Sequence, residues 1–304
     1  MHWIKYFSQL NRSKTADDRL VMTILCRNEV DIIEENIRTH AQLGVDAFVV
    51  MDNGSDDGTR EKLLALANEF ELHLIDQPEQ TYQQAKWMKS LAHYARDVLK
   101  ANWVISNDAD EFWIPQQNDH DLKSYLSHKD SVVTVKRHNM VLTEQVLDPA
   151  YHFSQAEYYV QYPFCYDKTA QMQDEKISML FAPLSPKVIV NPHGFIKISG
   201  GNHRAKHIGK GFSARSEPNI IVYHYPIRSW QQFEANIQHR QKLLMNPNAR
   251  MGNHYRRWVS ILEQGLLEME FKKMLLNQQQ LSSLESLGVI GCLSRPIVVK
   301  PNSF

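Results

Sequence analysis

Three carboxylates fall within four positions in Asn107-Asp108-Ala109-Asp110-Glu111. Asp108 and Asp110, two apart, can both reach one cation. Carboxylate oxygens are hard ligands that suit Mg²⁺ or Mn²⁺, and such ions are commonly held by one or two carboxylates together with the phosphates of a substrate. The competing reading is a solvated acidic turn, which the triplet by itself would favour. The residues in front of it shift the balance. Trp103-Val104-Ile105 is a short apolar run that predicts a buried strand. In open α/β sheets, ligands bind in loops beyond the carboxyl ends of strands. Phe112 and Trp113 then back the acidic corner with apolar surface.

The elements that must position this corner lie upstream. Leu20 to Cys26 predicts a first buried strand, running into Arg27-Asn28-Glu29. Asp31 is placed to cap a helix carrying Ile33, Ile37 and Leu43, stopped by Gly44. Val45 to Met51 predicts a second strand. It ends in Asp52-Asn53-Gly54-Ser55-Asp56-Asp57-Gly58-Thr59, a run of turn formers before a helix with Leu63, Leu64, Ala67 and Phe70. Leu72 to Ile75 reads as a third strand, residues 82–100 as a helix, and Trp103 to Asn107 as a fourth strand. This alternation predicts a parallel sheet with helices on its faces. No Gly-x-Gly-x-x-Gly follows the first strand and there is no Walker loop, so dinucleotide and P-loop readings lack their fingerprints. A phosphorylated ligand at the acidic corner would then need a metal to neutralise it.

After Pro115 the pattern loosens. Val132 to Lys136 reads as a strand, while residues 139–180 mix aromatic and polar residues without a clear period. Lys187 to Asn191 and Ile196 to Ser199 predict two more strands. Gly200-Gly201-Asn202-His203 is a turn with a histidine at its exit. Asn219 to Tyr225 predicts a strand that Pro226 ends, because proline cannot extend a central ladder. Ser229 is placed to cap a helix with Trp230, Phe233, Ile237 and Leu244 on one face, and residues 254–277 predict a further amphipathic helix. The tail, with Pro296 and Pro301, reads as a loosely attached extension. At the other end, Trp3, Ile4, Phe7 and Leu10 share one helical face that is expected to dock on the body of the protein. Peripheral contact with a membrane surface is the second reading, and the few basic residues on the polar side weigh against it.

The totals exclude some classes. Lys plus Arg and Asp plus Glu are both 34, so the net charge is zero and there is no basic footprint for nucleic acid. Cys26, Cys165 and Cys292 lie far apart, form no metal-ligand spacing and cannot all pair, which fits a reducing compartment such as the cytoplasm. No apolar run reaches the length of a membrane span, and the N-terminus lacks the apolar core and cleavage site of a secretory signal.

Four blocks carry a resemblance. Cys26-Arg27-Asn28-Glu29 with Leu43-Gly44-Val45 resembles the opening block of family 2 glycosyltransferases. Val50 to Thr59 resembles their Asp- and Gly-rich second loop. Asn107 to Phe112 resembles the DXD motif in its "DADEF" form, and His224-Tyr225-Pro226-Ile227-Arg228-Ser229 with Phe233 resembles an "HYxxxSxxxF" block of the related family 92-like bacterial branch. The resemblance covers residues 20–115 firmly and 185–245 in patches. It implies an α/β protein of GT-A type: a Rossmann-like nucleotide-binding sheet continuous with a smaller acceptor-side mixed sheet, followed by C-terminal helices. The implied organisation is a lead-in over 1–19, one glycosyltransferase domain over 20–250 with a nucleotide-binding half (20–115) and an acceptor half (116–250), and a helical extension over 251–304.

The resemblance further implies a metal-dependent, inverting transfer from a nucleotide-diphosphate donor, a UDP-sugar first, to a hydroxyl of a glycan or glycolipid. It suggests a role in polysaccharide synthesis, in the cytoplasm or at the inner face of the membrane. Asp52 would accept hydrogen bonds from the base or ribose, with Asn53 and Ser55 nearby. Arg27 and Glu29 would shape the nucleotide mouth. Asp110 would ligate Mn²⁺ or Mg²⁺ on the diphosphate, and Asp108 would contact the ribose or metal-bound water. His224 is the first candidate for an extra metal or diphosphate ligand, and His203 the second, since neutral imidazole is a competent ligand for Mn²⁺. The glycines before His203 would let the backbone approach the donor sugar closely. No Glu-Asp pair stands where family 2 enzymes place their base. Asp174-Glu175 and Glu217 are the nearest substitutes, each expected as a solvated charge, so the base stays unassigned. A non-catalytic, sugar-binding relative of the same fold is the alternative.

Overall fold

A computed structural model describes residues 18–78, 83–117, 120–164, 178–208, 214–246 and 251–297. Trp3, Ile4, Phe7, Leu10, Cys165, Asp174, Glu175 and Pro301 lie outside the described residues. The chain divides into two compact units. The first comprises residues up to Arg137 and Ser185–Tyr223, the second His138–Leu184 and His224–Ile297.

Alternation along strand β1 (Leu20–Cys26) organises the first unit. Leu20, Met22, Ile24 and Cys26 enter one hydrophobic cluster, whereas Val21 enters another. Helices α1 (Ile33–Gln42) and α2 (Thr59–Leu66) cover the first cluster with Ile33, Ile37, Leu63 and Leu66. Helix α3 (Gln84–Asp97) covers the second with Trp87, Met88, Leu91, Ala92 and Ala95. A sheet buried on both faces needs apolar residues at every position, which is why its strands read as continuous apolar runs. Strands β2 (Ala47–Asp52), β3 (Leu72–Asp76) and β4 (Trp103–Asp108) join β1 in parallel.

The sheet continues through β5 (Glu111–Pro115), β6 (Val132–Asn139), β8 (Lys187–Val190) and β11 (Arg215–His224) in the order β3-β2-β1-β4-β8-β6-β11-β5. Strand β8 runs antiparallel to both β4 and β6, so the sheet changes from parallel to mixed there. A separate pair, β9 (Phe195–Ile198) and β10 (Ala205–His207), is antiparallel.

Helices α4 (Trp230–Leu244), α5 (Asn253–Glu263), α6 (Leu267–Lys273) and α7 (Gln278–Ser286) build the second unit around Phe233, Ile237, Trp258, Phe271 and Leu281. Strand β7 (Tyr158–Val160) pairs antiparallel with β12 (Ile290–Cys292). No helix among the described residues is long and apolar enough to cross a membrane.

Three sequence expectations change. The N-cap of α1 is Ile32, without a side-chain cap, rather than Asp31. Glu111–Pro115 is a fully buried strand, hidden in the sequence by its leading glutamate. The helix expected over 254–277 is two helices, parted at Gly265, whose φ of 72° suits glycine and stops a helix. The stretch before the tail is tied down, since β12 is hydrogen-bonded to β7 and Ile290 is buried, while Pro301 lies outside the described residues.

Ser229 caps α4 as expected, its Oγ accepting from the Gln232 N–H at 3.1 Å. Replacing a capping serine by alanine costs about 1 kcal/mol. Ser229→Ala should lower the unfolding free energy by that amount in urea denaturation. An unchanged midpoint would mean that the cap is replaced by water at no cost.

Candidate active site

Strands β2, β1 and β4 end together. Asp52 pairs in register with Cys26, and Asp108 with Leu25. Asp52 and Asp108 therefore flank the end of β1 at two strand spacings, roughly 10 Å.

Helix α1 fixes the acidic corner from beneath. Asn36 Nδ2 donates to the carbonyls of Ala109 (2.8 Å) and Glu111 (2.9 Å). Asn107 Nδ2 donates to Asn36 Oδ1 at 3.2 Å, and Trp113 Nε1–H donates to Asn107 Oδ1 at 2.8 Å. The Trp113 backbone N–H donates to His40 Nε2 at 3.0 Å, so that nitrogen is unprotonated and Nδ1–H faces the Asn36 oxygens. Burial pushes His40 down to about 4, which keeps the ring neutral. These groups are all buried, and their bonds satisfy the backbone of a sharp turn that could otherwise hydrogen-bond only to water.

The carboxylates of the corner have different surroundings. Glu111 is completely buried, with Arg137 Nη1 at 2.6 Å and Lys187 Nζ at 3.0 Å. Lys187, also completely buried, reaches Asp108 Oδ2 at 2.5 Å. The other Asp108 oxygen accepts from Asn202 Nδ2 (3.2 Å) and Gln84 Nε2 (3.4 Å). Burial raises the Asp108 carboxyl above its ordinary range, and Glu111 and Asp110 push the same way while Lys187 opposes them. Burial works against the Lys187 ammonium too, yet the two carboxylates outweigh it and hold the amine above its ordinary value. The pair is an ion pair, and Lys187 with Arg137 balances Asp108 with Glu111 charge for charge.

This decides how a cation would fit. Both Asp108 oxygens accept hydrogen bonds, and Asp110 is a half-buried carboxylate on the same turn. Among the described residues, no group of three or more His, Cys, Asp or Glu side chains could hold a metal ion by itself. Asp110 suits a hard divalent ion as one ligand of the six or so that it wants, provided a bound ligand supplies most of the others.

The loops after β1 and β2 are laced together. Asn28, at φ 56°, donates its backbone N–H to Ser55 Oγ (2.9 Å), and its side chain exchanges two hydrogen bonds with Asp56. Glu29 N–H donates to Thr59 Oγ1 at 2.8 Å. Arg27 Nη1 donates to the Asn53 carbonyl (2.9 Å), and Asn53 Nδ2 to the Gln77 carbonyl (2.7 Å). Asp52 is buried and caps its own turn, accepting from Ser55 Oγ (2.5 Å) and Ser55 N–H (3.1 Å). Arg27, Glu29, Asp52, Asn53 and Ser55 thus share one rigid rim.

The histidines fall in different units. His203, in the first, donates Nδ1–H to the Pro186 carbonyl at 3.0 Å. Burial, with Lys187 and Arg137 adding, pushes it down to about 4. A Cβ on Gly201 (φ 69°) would lie 2.5 Å from His203 Nε2, so this glycine makes room for the ring. His224 belongs to the second unit, where its Nδ1 bonds Asn139 Oδ1 at 2.7 Å. Asn139 Nδ2 donates to the Leu180 carbonyl, which assigns the amide orientation and makes His224 Nδ1 the donor. Glu217, expected in solvent, is buried against Arg215 Nη1 (2.5 Å) and the Asn219 backbone and side-chain amides (3.0 Å each).

Two measurements probe the corner. His40 ordinarily titrates near 6.5 and here near 4. The unfolded chain therefore takes up a proton that the folded chain refuses. Stability from this group is complete above pH 6.5 and falls between 6.5 and 4, by about 3 kcal/mol. Urea unfolding across that range should show the decline, and His40→Gln should flatten its slope. Separately, Lys187→Met leaves two buried carboxylates short of a cation and should cost about 3–5 kcal/mol. Glu111→Gln in the same chain should recover part of that loss. A neutral Lys187→Met would mean that the ammonium does not stabilise the corner.

Comparison with known proteins adds the following. The family model for "Glycosyl transferase family 2" matches residues 22–186, more than half of the chain. No curated protein matches it. Among solved structures, the chain is similar to S. aureus TarS 1-349, at 12% identity over 82% of this chain and 74% of that one, with a TM-score of 0.41. It is also similar to S. aureus TarS 1-349 in complex with UDP-GlcNAc (10% identity, 84% and 72%, TM-score 0.40). A third likeness is to glucosyl-3-phosphoglycerate synthase from Mycobacterium tuberculosis in complex with Mn²⁺, UDP and glucosyl-3-phosphoglycerate (18% identity, 58% of each chain, TM-score 0.31).

Proposed function

The chain belongs to glycosyl transferase family 2, with the GT-A fold and nucleotide-sugar-dependent transferase activity of that family, and from that premise we propose a metal-dependent, inverting transfer. The donor is a UDP-sugar and the acceptor a hydroxyl of a glycan or glycolipid. The setting is bacterial polysaccharide synthesis in the cytoplasm or at the inner face of the membrane. The His224-Tyr225-Pro226 block supports the family 92-like branch.

The observation that carries this reading is the common ending of β2, β1 and β4, which brings Asp52 and Asp108 to one edge of the sheet with the laced rim between them. In this reading Asp52 takes a hydrogen bond from the base or ribose, supported by Asn53 and Ser55, while Arg27 and Glu29 shape the mouth. Asp110 holds Mn²⁺ or Mg²⁺. The ion, when bound, offsets charge on the departing diphosphate. Asp108, its charge fixed by Lys187, meets the ribose or metal-bound water. His224 is the first candidate for an extra ligand of the metal or the diphosphate, and His203 is the second. The acceptor hydroxyl needs a base. Glu217 is not that base, because Arg215 and Asn219 engage both its oxygens.

One observation favours a second reading. Asp108 is committed to Lys187, which suits a sugar-binding relative without turnover. Calorimetric titration of UDP with and without Mn²⁺, beside an assay of sugar transfer from a panel of nucleotide sugars, separates the two. Metal-dependent binding without transfer or hydrolysis selects the binding protein.

Asp110→Asn should keep the fold and abolish the metal-dependent part of UDP binding, and unchanged binding would remove Asp110 from the metal. Asp52→Ala should weaken UDP with or without metal. His224→Ala should lower the transfer rate about a hundredfold with little change in UDP affinity, because charge on the diphosphate grows in the transition state. A large loss in His203→Ala instead would exchange the two roles.

A further inference from the structure

A cavity of about 200 Å³ lies wholly within the second unit. Asn139, His224, Asn236, His254, Tyr255 and Trp258 are among its polar and aromatic lining, and Phe233 and aliphatic side chains complete the wall. Among the described residues lining it, none is Asp, Glu, Lys or Arg. The nearby cation Arg240 sits 3.5 Å over the Tyr255 ring and donates Nε–H to Asn236 Oδ1 at 2.7 Å. Burial, with Arg240 and His224 adding, pushes His254 down to about 4, so its ring is neutral. A phosphate or carboxylate would find no lysine or arginine in this lining.

The cavity nevertheless asks for oxygen. Trp258 is 5% exposed and its Nε1–H has no acceptor among the described residues. Buried indole N–H groups normally find a partner, and leaving one unmade costs about 1–3 kcal/mol. Asn236 gives its oxygen to Arg240, which leaves its amide hydrogens as donors, and neutral His254 offers one donor and one acceptor. The Tyr255 and Trp258 rings present apolar faces beside these groups. The complement is a small neutral molecule with several hydroxyls and an apolar C–H face. The volume is below that of sites for drug-sized ligands, which limits the occupant to about one ring.

We propose that this cavity binds a neutral pyranose, and, on the glycosyltransferase reading above, that the ring is a unit of the acceptor glycan. The test is saturation-transfer NMR of the full chain with neutral methyl hexopyranosides and N-acetylhexosaminides, with cyclohexanol and a hexose phosphate as controls. At least one neutral glycoside should bind, and Trp258→Phe, which keeps an aromatic ring and removes the N–H, should weaken it tenfold or more. Asn236→Leu is the second variant should Trp258→Phe fail to fold. Absence of binding by every glycoside, equal binding of cyclohexanol or the hexose phosphate, or unchanged affinity in a folded variant would overturn the proposal. UDP titration of the same samples separates the two readings. UDP binding without glycoside binding removes the pyranose site and leaves the donor reading, and the reverse result leaves the pyranose site and removes the donor reading.

Discussion

The first unit depends on one buried ammonium. Lys187 stands between Asp108 and Glu111 at the head of β8, the strand where the parallel sheet turns mixed. An isolated ion at that depth would carry a desolvation penalty of several kcal/mol. Three charged groups become tolerable there because each has an opposite neighbour, and Arg137 completes the balance on Glu111. The strand pairing and the acidic turn are thus one arrangement. Shifting β8 by one residue would point Lys187 to the other face of the sheet and leave both carboxylates unneutralised.

Neutral groups do the complementary work. His40 can accept from the Trp113 N–H because burial keeps it unprotonated, and the amides of Asn36 and Asn107 absorb the carbonyls of the turn. An imidazolium at His40 would offer two donors where one acceptor is required. The acidic corner is therefore shaped by polar groups that carry no charge and tuned by a pair that does. Its geometry comes from α1, its electrostatics from β8.

How much of this could be read from the sequence follows from distance along the chain. The strand and helix rhythm over 20–115 was legible because both sheet faces are covered and the apolar runs are continuous. Asp108 and Asp110 were visible because they are neighbours. Lys187 was not, since 79 residues part it from Asp108. Its one local sign was a charged residue opening the apolar run Val188-Ile189-Val190. His224 was legible as the end of a strand, but its partner Asn139 is 85 residues away. The burial of Glu111 could not be read from the triplet, because its strand is covered by pairing with β11, which no local pattern reveals. The break at Gly265 was signalled by the glycine itself, inside an otherwise helical period.

The two units interleave along the chain, which leaves the first after Arg137, returns at Ser185 and leaves again after Tyr223. This gives the molecule a history as it is made. Asp108 and Glu111 emerge from the ribosome well before the lysine that neutralises them, and at translation speeds of about 5–20 residues per second the 79-residue interval from Asp108 lasts roughly 4–16 s. Closing the turn before Lys187 arrives would bury the Asp108 carboxylate without its cation, at a desolvation cost of several kcal/mol.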